Sequence, residues 1–274
     1  AAASRREGQT SEELHASDYQ MYAYLQTAQD QAARKVLDSL PEIASRFDPK
    51  VVVSGAVPPA AGYFALAAIP ARYALERRDW KRAADLQPRE TPVPYADAMT
   101  WFARGMAAAR LHDTAKAQES LTVLQNIRSR LESANEKYWA GQVEIQRLEV
   151  NAWKLFAEEQ KDAALTMMKS AAEIEDATEK SAVTPGSLAP TRELLGEMLL
   201  EGNEPAQALK QFEATLQKEP RRFRALYGAA RAAQLAGKSE ESRTYFGELL
   251  KVCERADKPG RSEILEANSA LSKN

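Results

Sequence analysis

Apolar residues recur along most of the chain at the spacing of one helix face. In LLGEMLLEGNEPAQALKQFEATLQKEP, residues 194–220, they fall three or four positions apart and are separated by Glu, Gln and Lys. Ala, Leu, Glu, Lys, Gln and Arg dominate elsewhere too, and a run of β-branched residues occurs only as VVV at 51–53. A period of 3.6 residues with this composition predicts an all-α protein.

The pattern also repeats as a 34-residue unit, with insertions after repeats one, three and four. Repeats that start at residues 14, 64, 98, 145, 189 and 223 share a small residue at position 20: Ala33, Ala83, Ala117, Ala164, Ala208 and Ser242. In this alignment, five of six residues at position 8 are small, and five of six at position 24 are bulky and apolar. Small residues at positions 8 and 20 let two helices approach closely, and the bulky residues fill the space around them. Because one helix pair cannot bury its apolar face alone, the repeats must stack.

These positions resemble the tetratricopeptide repeat (TPR), a 34-residue pair of helices. Trp101 falls on its position 4, Tyr24 on position 11 and Pro220 on position 32. The resemblance covers roughly three quarters of the chain and is strongest at 98–121 and 189–246. It implies a TPR-like α-α superhelix, a solenoid of stacked antiparallel helix pairs. We expect one array over residues 1–274, ended by a capping helix at about 261–272.

Three segments carry a second resemblance. HASDYQMYAYLQ, YWAGQVEIQRLE and RFRALYGAARAAQLAG are similar to the C-terminal half of a group of uncharacterised bacterial TPR proteins. Those proteins are longer and carry a histidine-rich helical half upstream. The resemblance implies that this chain is a fragment or a processed form of a longer protein.

Several segments interrupt the repeats. Pro70 and Pro88 lie inside the two helices of repeat two, where a proline costs about 3 kcal/mol, so this repeat is predicted to be shortened or kinked. DPKVVVSGAVPPAAG predicts a loop after repeat one, and RSRLESANEKYWAG predicts longer helices after repeat three. EKSAVTPGSLAP predicts an extended connection before a helix that Pro190 and Thr191 start.

Composition narrows the classes of function. The chain has 274 residues, 44% of them hydrophobic, and a net charge of −2. A packed core is therefore expected, and the basic surface of a nucleic-acid-binding protein is not. No stretch approaches the roughly 18 consecutive apolar residues that span a membrane. The segment AAASRREGQTSEEL lacks the apolar core of a signal peptide but also lacks an initiator Met, so both a cytoplasmic location and export after signal removal stay open.

The TPR resemblance implies a site for a protein or peptide partner. In that family, positions 2, 5, 9, 12 and 13 of the first helix line a concave surface. The groove residues that we expect on this basis are Phe102, Met106, Trp153, Phe156, Arg224, Tyr227 and Arg231. An apolar centre flanked by charge is typical of a binding interface. The alternative is that the loop at 50–63, or a neighbouring subunit, covers the apolar side chains of repeats three and four.

Four arginines form a basic face near repeat six: Arg221, Arg222, Arg224 and Arg231. They could bind a carboxylate or an acidic peptide. We favour the alternative, in which they pair with Glu193 and Glu197 on the preceding helix. The clamp with which some TPR proteins bind chaperone tails is excluded, because Glu193 and Glu197 occupy positions that need Lys and Asn.

Candidate catalytic chemistry is sparse. Cys253 is the single cysteine and lies on an apolar helix face, as a core residue would. His112 lies in a turn in which Asp113 is expected to cap the next helix. His15 and Asp18 share a helix face that a metal ion could use, but two ligands do not hold a metal.

We therefore predict no catalytic activity, no bound metal and no cofactor. The expected function is that of an interaction scaffold or adaptor that binds a peptide or protein segment in a concave helical groove. Two alternatives stay open. One is a metal-dependent enzyme that a missing N-terminal half completes, and the other is a structural homo-oligomer in which another copy fills the groove.

Overall fold

The protein is built from helices. The computed structural model describes residues 9–51, 57–181 and 183–272. Helices make up 75% of these residues, and they include no strand. The prediction of an all-α fold is confirmed.

Thirteen helices follow one another in the described ranges. In chain order they are α1 (Thr10–Gln26), α2 (Asp30–Arg46), α3 (Pro59–Glu76), α4 (Trp80–Ala84), α5 (Pro94–Arg110), α6 (Thr114–Ser133), α7 (Lys137–Ala157), α8 (Lys161–Asp176), α9 (Thr191–Glu201), α10 (Pro205–Lys218), α11 (Phe223–Leu235), α12 (Ser239–Val252) and α13 (Ser262–Ser272). Consecutive helices pack together from α3 to α8 and from α9 to α13. The odd-numbered neighbours α3 and α5, α5 and α7, and α9 and α11 also touch, which is the packing of a solenoid.

The chain forms two compact units. Unit 1 contains the residues up to Tyr22 and Arg34–Leu188, and unit 2 contains Ala23–Ala33 and the residues from Ala189 onward. The prediction that all six repeats belong to one array stays a prediction.

All six predicted repeats share one turn geometry. The residue at position 15, between the two helices of each repeat, has a positive φ of 52° to 76°: Ala28, Arg78, His112, Glu159, Asn203 and Gly237. Such a left-handed residue commonly ends a helix and lets the chain reverse. The recurrence supports the alignment independently of the side chains at positions 8, 20 and 24.

Single residues confirm several local predictions. His112 is exposed in its turn, and the Asp113 carboxylate caps α6 by accepting a hydrogen bond from the backbone N–H of Lys116 at 3.1 Å. Helix α9 begins after Pro190, and α13 lies where the capping helix is expected. Helices α6 and α7 have 20 and 21 residues and leave only a short turn between them, as the insertion after repeat three predicts.

Repeat two is shortened in its second helix only. Helix α4 has five residues, and Pro88 lies in the irregular connection that follows it. The first helix, α3, continues through Pro70 for 18 residues, so it is not shortened. Because α3 begins at Pro59, the last four residues of the loop predicted at 48–62 are helical, and residues 52–56 lie outside the described ranges.

The core of unit 2 is built around close helix approaches. The buried Phe212 ring lies between α9 and α11, and a Cβ added to Gly196 or Gly228 would stand only 2.8 or 2.4 Å from it. Cys253 belongs to an adjoining apolar cluster with Phe246, which confirms it as a core cysteine. Burial raises the pKa of its thiol to about 11, so it is protonated at neutral pH.

The turn between α1 and α2 also belongs to unit 2. The Gln26 side-chain oxygen accepts a hydrogen bond from the backbone N–H of Phe223 at 2.8 Å. The Arg261 guanidinium pairs with the Asp30 carboxylate at 2.6 Å. A linear array predicts contacts only between neighbouring repeats, so the repeat pattern did not predict these contacts between the first turn and the last repeat.

Candidate partner-binding groove

The apolar residues expected at the centre of the groove lie in the core of unit 1. Phe102 and Met106 are 1% exposed, and Trp153 is 2% exposed. The expectation that these three side chains face an open surface is therefore wrong. Helix α5 is apolar on more than one face, and a helix of that kind is buried on all sides. The chain itself buries them, so no neighbouring subunit is needed to cover them.

Phe156 is the part of the expected apolar patch that stays partly exposed. Its ring meets the Trp153 ring edge to face, with 5.5 Å between the centroids. The Lys161 ammonium lies 5.9 Å from the centroid of Phe156, and the Arg110 guanidinium lies 4.2 Å from that of Trp153. Cationic groups thus flank both rings, and unit 1 offers no broad apolar surface at this point.

In unit 2, Arg222 is held by a buried acid. The Arg222 Nε atom lies 2.7 Å from Glu193 Oε2, and Nη2 lies 3.2 Å from Oε1. Both side chains are 1% exposed. For Arg222 the alternative of pairing with Glu193 is confirmed, and this guanidinium is not part of an open basic face.

The other expected groove residues of repeat six contact helix α13. Arg224 pairs with Glu263 at 2.6 Å, and the Tyr227 hydroxyl donates to Glu266 at 2.6 Å. Arg231 pairs with Glu266 as well. Burial, and next the hydrogen bond to Glu266, raise the pKa of Tyr227, so this hydroxyl stays protonated. The two glutamates of α13 therefore orient the basic residues of α11.

These residues form one wall of a groove between α9 and α11, which we call the α9–α11 groove. Its volume is about 300 Å³. Its lining consists of Glu197, Leu200, Glu201, Phe212, Arg224, Tyr227, Gly228, Arg231 and Leu235. The lining therefore combines carboxylates from α9, guanidinium groups from α11 and apolar side chains.

Leu235 is one of the lining residues that the sequence pattern did not single out. It ends α11 and is 57% exposed, which is unusual for a leucine. It lies at position 13 of repeat six, which the TPR pattern assigns to the concave surface, so a usable signal was present. Arg224, Tyr227 and Arg231, by contrast, line the groove where the resemblance placed them.

His15 and Asp18 make separate contacts within the described part of the chain. Asp18 accepts hydrogen bonds from the Arg72 guanidinium at 3.1 and 3.5 Å, and both side chains are almost completely buried. The His15 ring packs edge to face on Tyr19, with 5.0 Å between the centroids. Within residues 9–51, 57–181 and 183–272, no group of three or more His, Cys, Asp or Glu side chains could hold a metal ion. Asp18 instead compensates the charge of Arg72.

Of the helices that the structure describes, none is both long and apolar enough to cross a bilayer.

Comparison with known proteins does not assign the chain to a family. The likeness to TPR proteins stays a resemblance, carried by the 34-residue period and by the turn at position 15. A scan against protein-family models gave no match, and a search of curated proteins gave none either.

Proposed function

We propose that the protein is an interaction scaffold that binds a segment of another protein in the α9–α11 groove. The observation that carries this proposal is the combination of opposite charges and apolar side chains in one groove. Glu197 and Glu201 come from α9, Arg224 and Arg231 come from α11, and Leu200 and Leu235 line the same groove. An interface with an apolar centre and a charged rim has this arrangement.

The lining indicates the chemistry of the partner. A volume of about 300 Å³ accommodates one large side chain and the backbone on either side of it. We expect an apolar anchor residue against Tyr227 and Leu235. A basic residue of the partner would lie near Glu197 and Glu201, and an acidic one would share Arg231 with Glu266. Charge complementarity of this kind fixes the direction of a bound segment and accelerates its association.

The segment can come from another protein or from a second copy of the chain. Light scattering over a concentration series separates the two sources, because self-binding through the groove increases the mass with concentration. For the scaffold we expect a constant mass and binding to foreign peptides.

A pair of exposed leucines gives a matched test. Leu235 and Leu265 are 57% and 60% exposed, and both lie in unit 2, but only Leu235 lines the groove. The probe is a peptide enriched on the wild-type protein from a displayed random library. Leu235→Asp should weaken its binding at least tenfold, because a charge replaces the apolar contact with the anchor residue. Leu265→Asp should change the affinity less than twofold, as measured by fluorescence anisotropy.

The controls separate binding from folding. Both substitutions fall on exposed positions, so the circular dichroism at 222 nm should match that of the wild type for each variant. Equal loss of affinity in the two variants, or no loss with Leu235→Asp, would contradict the proposal.

A further inference from the structure

The shortened repeat two leaves a cavity inside unit 1. The second helices of the other five repeats have 14 to 20 residues, whereas α4 has five. An irregular connection over residues 85–93 follows α4. Between it, α3 and α5 lies a cavity of about 470 Å³, which we call the repeat-two cavity. This volume lies within the range of pockets that bind small molecules.

The cavity has an apolar wall and an acidic end. Tyr63, Leu66, Ala67 and Pro70 line it from α3, and Leu86 lines it from the connection. Toward α5 the lining becomes polar and includes Asp97 and Thr100, with Arg89 and Glu90 on the connection. The apolar residues favour a ligand with a compact hydrocarbon body, and the acidic end determines which polar group that ligand can carry.

Side chains of α5 hold the connection at two points. Arg104 donates a hydrogen bond to the Leu86 carbonyl oxygen at 2.7 Å. Asp97 accepts hydrogen bonds from the backbone N–H and the hydroxyl of Thr91, at 3.0 and 2.8 Å. These anchors lie on either side of the segment that borders the cavity. The cavity is therefore preformed, and a ligand would not have to order the connection first.

Asp97 is a buried acid that has no cationic side chain in direct contact among the described residues. The residue is 8% exposed, and its hydrogen bonds come from a neutral backbone and a neutral hydroxyl. In the part of the chain that the structure describes, it forms no ion pair within 4 Å. The pKa of this carboxyl is raised above its ordinary value, chiefly by burial and also by Glu90, while the Thr91 hydrogen bonds and Arg130 oppose the rise. A buried carboxylate without a direct counter-ion is stabilised when a cation pairs with it.

We propose that the repeat-two cavity binds a small organic cation, namely a primary amine with a compact hydrocarbon body. The body lies against Leu66, Pro70 and Leu86, and the ammonium group donates to Asp97. A neutral alcohol of the same shape gains the apolar contacts but no ion pair, and a carboxylate is repelled. This site lies in unit 1 and is independent of the partner groove proposed for unit 2.

The test compares 1-adamantylamine with 1-adamantanol, which share one hydrocarbon body. Both are titrated into the full chain, and binding is followed by ligand-observed saturation-transfer NMR. The amine should bind at least tenfold more tightly than the alcohol. Asp97→Asn should remove this preference, whereas Glu119→Gln, which changes an exposed acid on α6, should retain it.

A cavity-filling variant locates the site independently of the charge. Ala67→Leu adds three carbons within the cavity. It should weaken the binding of both probes at least tenfold, while the circular dichroism at 222 nm stays that of the wild type. If Asp97→Asn fails to fold, the wild-type preference for the amine still tests the charge, and Ala67→Leu still tests the location of the site. Equal binding of amine and alcohol, no binding of either, or unchanged binding to Ala67→Leu would overturn the proposal.

Discussion

Replacing Glu193 by glutamine should destabilise unit 2 by about 3–5 kcal/mol, because it leaves a buried guanidinium without its main counter-ion. Glu193 and Arg222 are each 1% exposed and share two hydrogen bonds. Glu219 approaches the same guanidinium to 3.5 Å but is itself 22% exposed, so it compensates only in part. The free energy of unfolding is measured by urea denaturation, followed by circular dichroism at 222 nm.

Two controls isolate the buried charge as the cause. Glu241→Gln removes an acid that pairs with Lys238 in unit 2, where both side chains are 47% exposed, and should cost no more than about 1 kcal/mol. The double variant Glu193→Leu with Arg222→Met should be more stable than Glu193→Gln, because no unpaired charge stays buried. A wild-type denaturation curve for Glu193→Gln would contradict the role assigned to this pair.

Arg72→Met should destabilise unit 1 by a similar amount, about 3–5 kcal/mol, and release the connection before α9. Arg72 is 0% exposed and pairs with the buried Asp18. It also donates to the Thr184 hydroxyl and to the carbonyl oxygens of Gly186 and Ser187, at 3.3, 3.2 and 3.0 Å. The variant leaves Asp18 buried without a counter-ion and removes three hydrogen bonds that hold residues 184–187.

Two measurements follow these effects separately. All four tryptophans lie in unit 1, so their fluorescence during urea denaturation reports its unfolding. Limited digestion with trypsin reports how accessible the connection between α8 and α9 is. Lys180 lies in that connection and is exposed, and its ammonium donates to the Thr184 carbonyl oxygen. Arg72→Met should be cut faster after Lys180, whereas Arg34→Met, which alters an exposed ion pair with Asp38, should not. Equal rates of cleavage in the two variants would show that Arg72 does not hold the connection.

The helical framework could be predicted because its determinants are local. Helix periodicity, small residues at positions 8 and 20 and turn-forming segments act within one repeat, and they placed the helix pairs and α13. The shortening of repeat two also followed from Pro88. The cavity in repeat two could not be predicted from the sequence, because it depends on the hydrogen bonds from Arg104 to Leu86 and from Thr91 to Asp97.

The candidate site was predicted only in part, because periodicity shows which residues are apolar but not what covers them. The repeat pattern assigns Phe102, Met106 and Trp153 to a surface, yet they are buried. The sequence offers Asp18 as a metal ligand, whereas its partner in the structure is Arg72, which lies 54 residues away. Contacts of that kind depend on the tertiary structure, and no single repeat contains a signal for them.

Hydrogen–deuterium exchange tests the proposed partner groove most directly. The exchange of the full chain is measured by mass spectrometry, alone and with a saturating amount of the enriched peptide. Binding in the α9–α11 groove predicts slower exchange within Thr191–Glu201 and Phe223–Leu235, and unchanged rates in the helices of unit 1. Slower exchange confined to unit 1, or none within α9 and α11, would contradict the assignment of the groove.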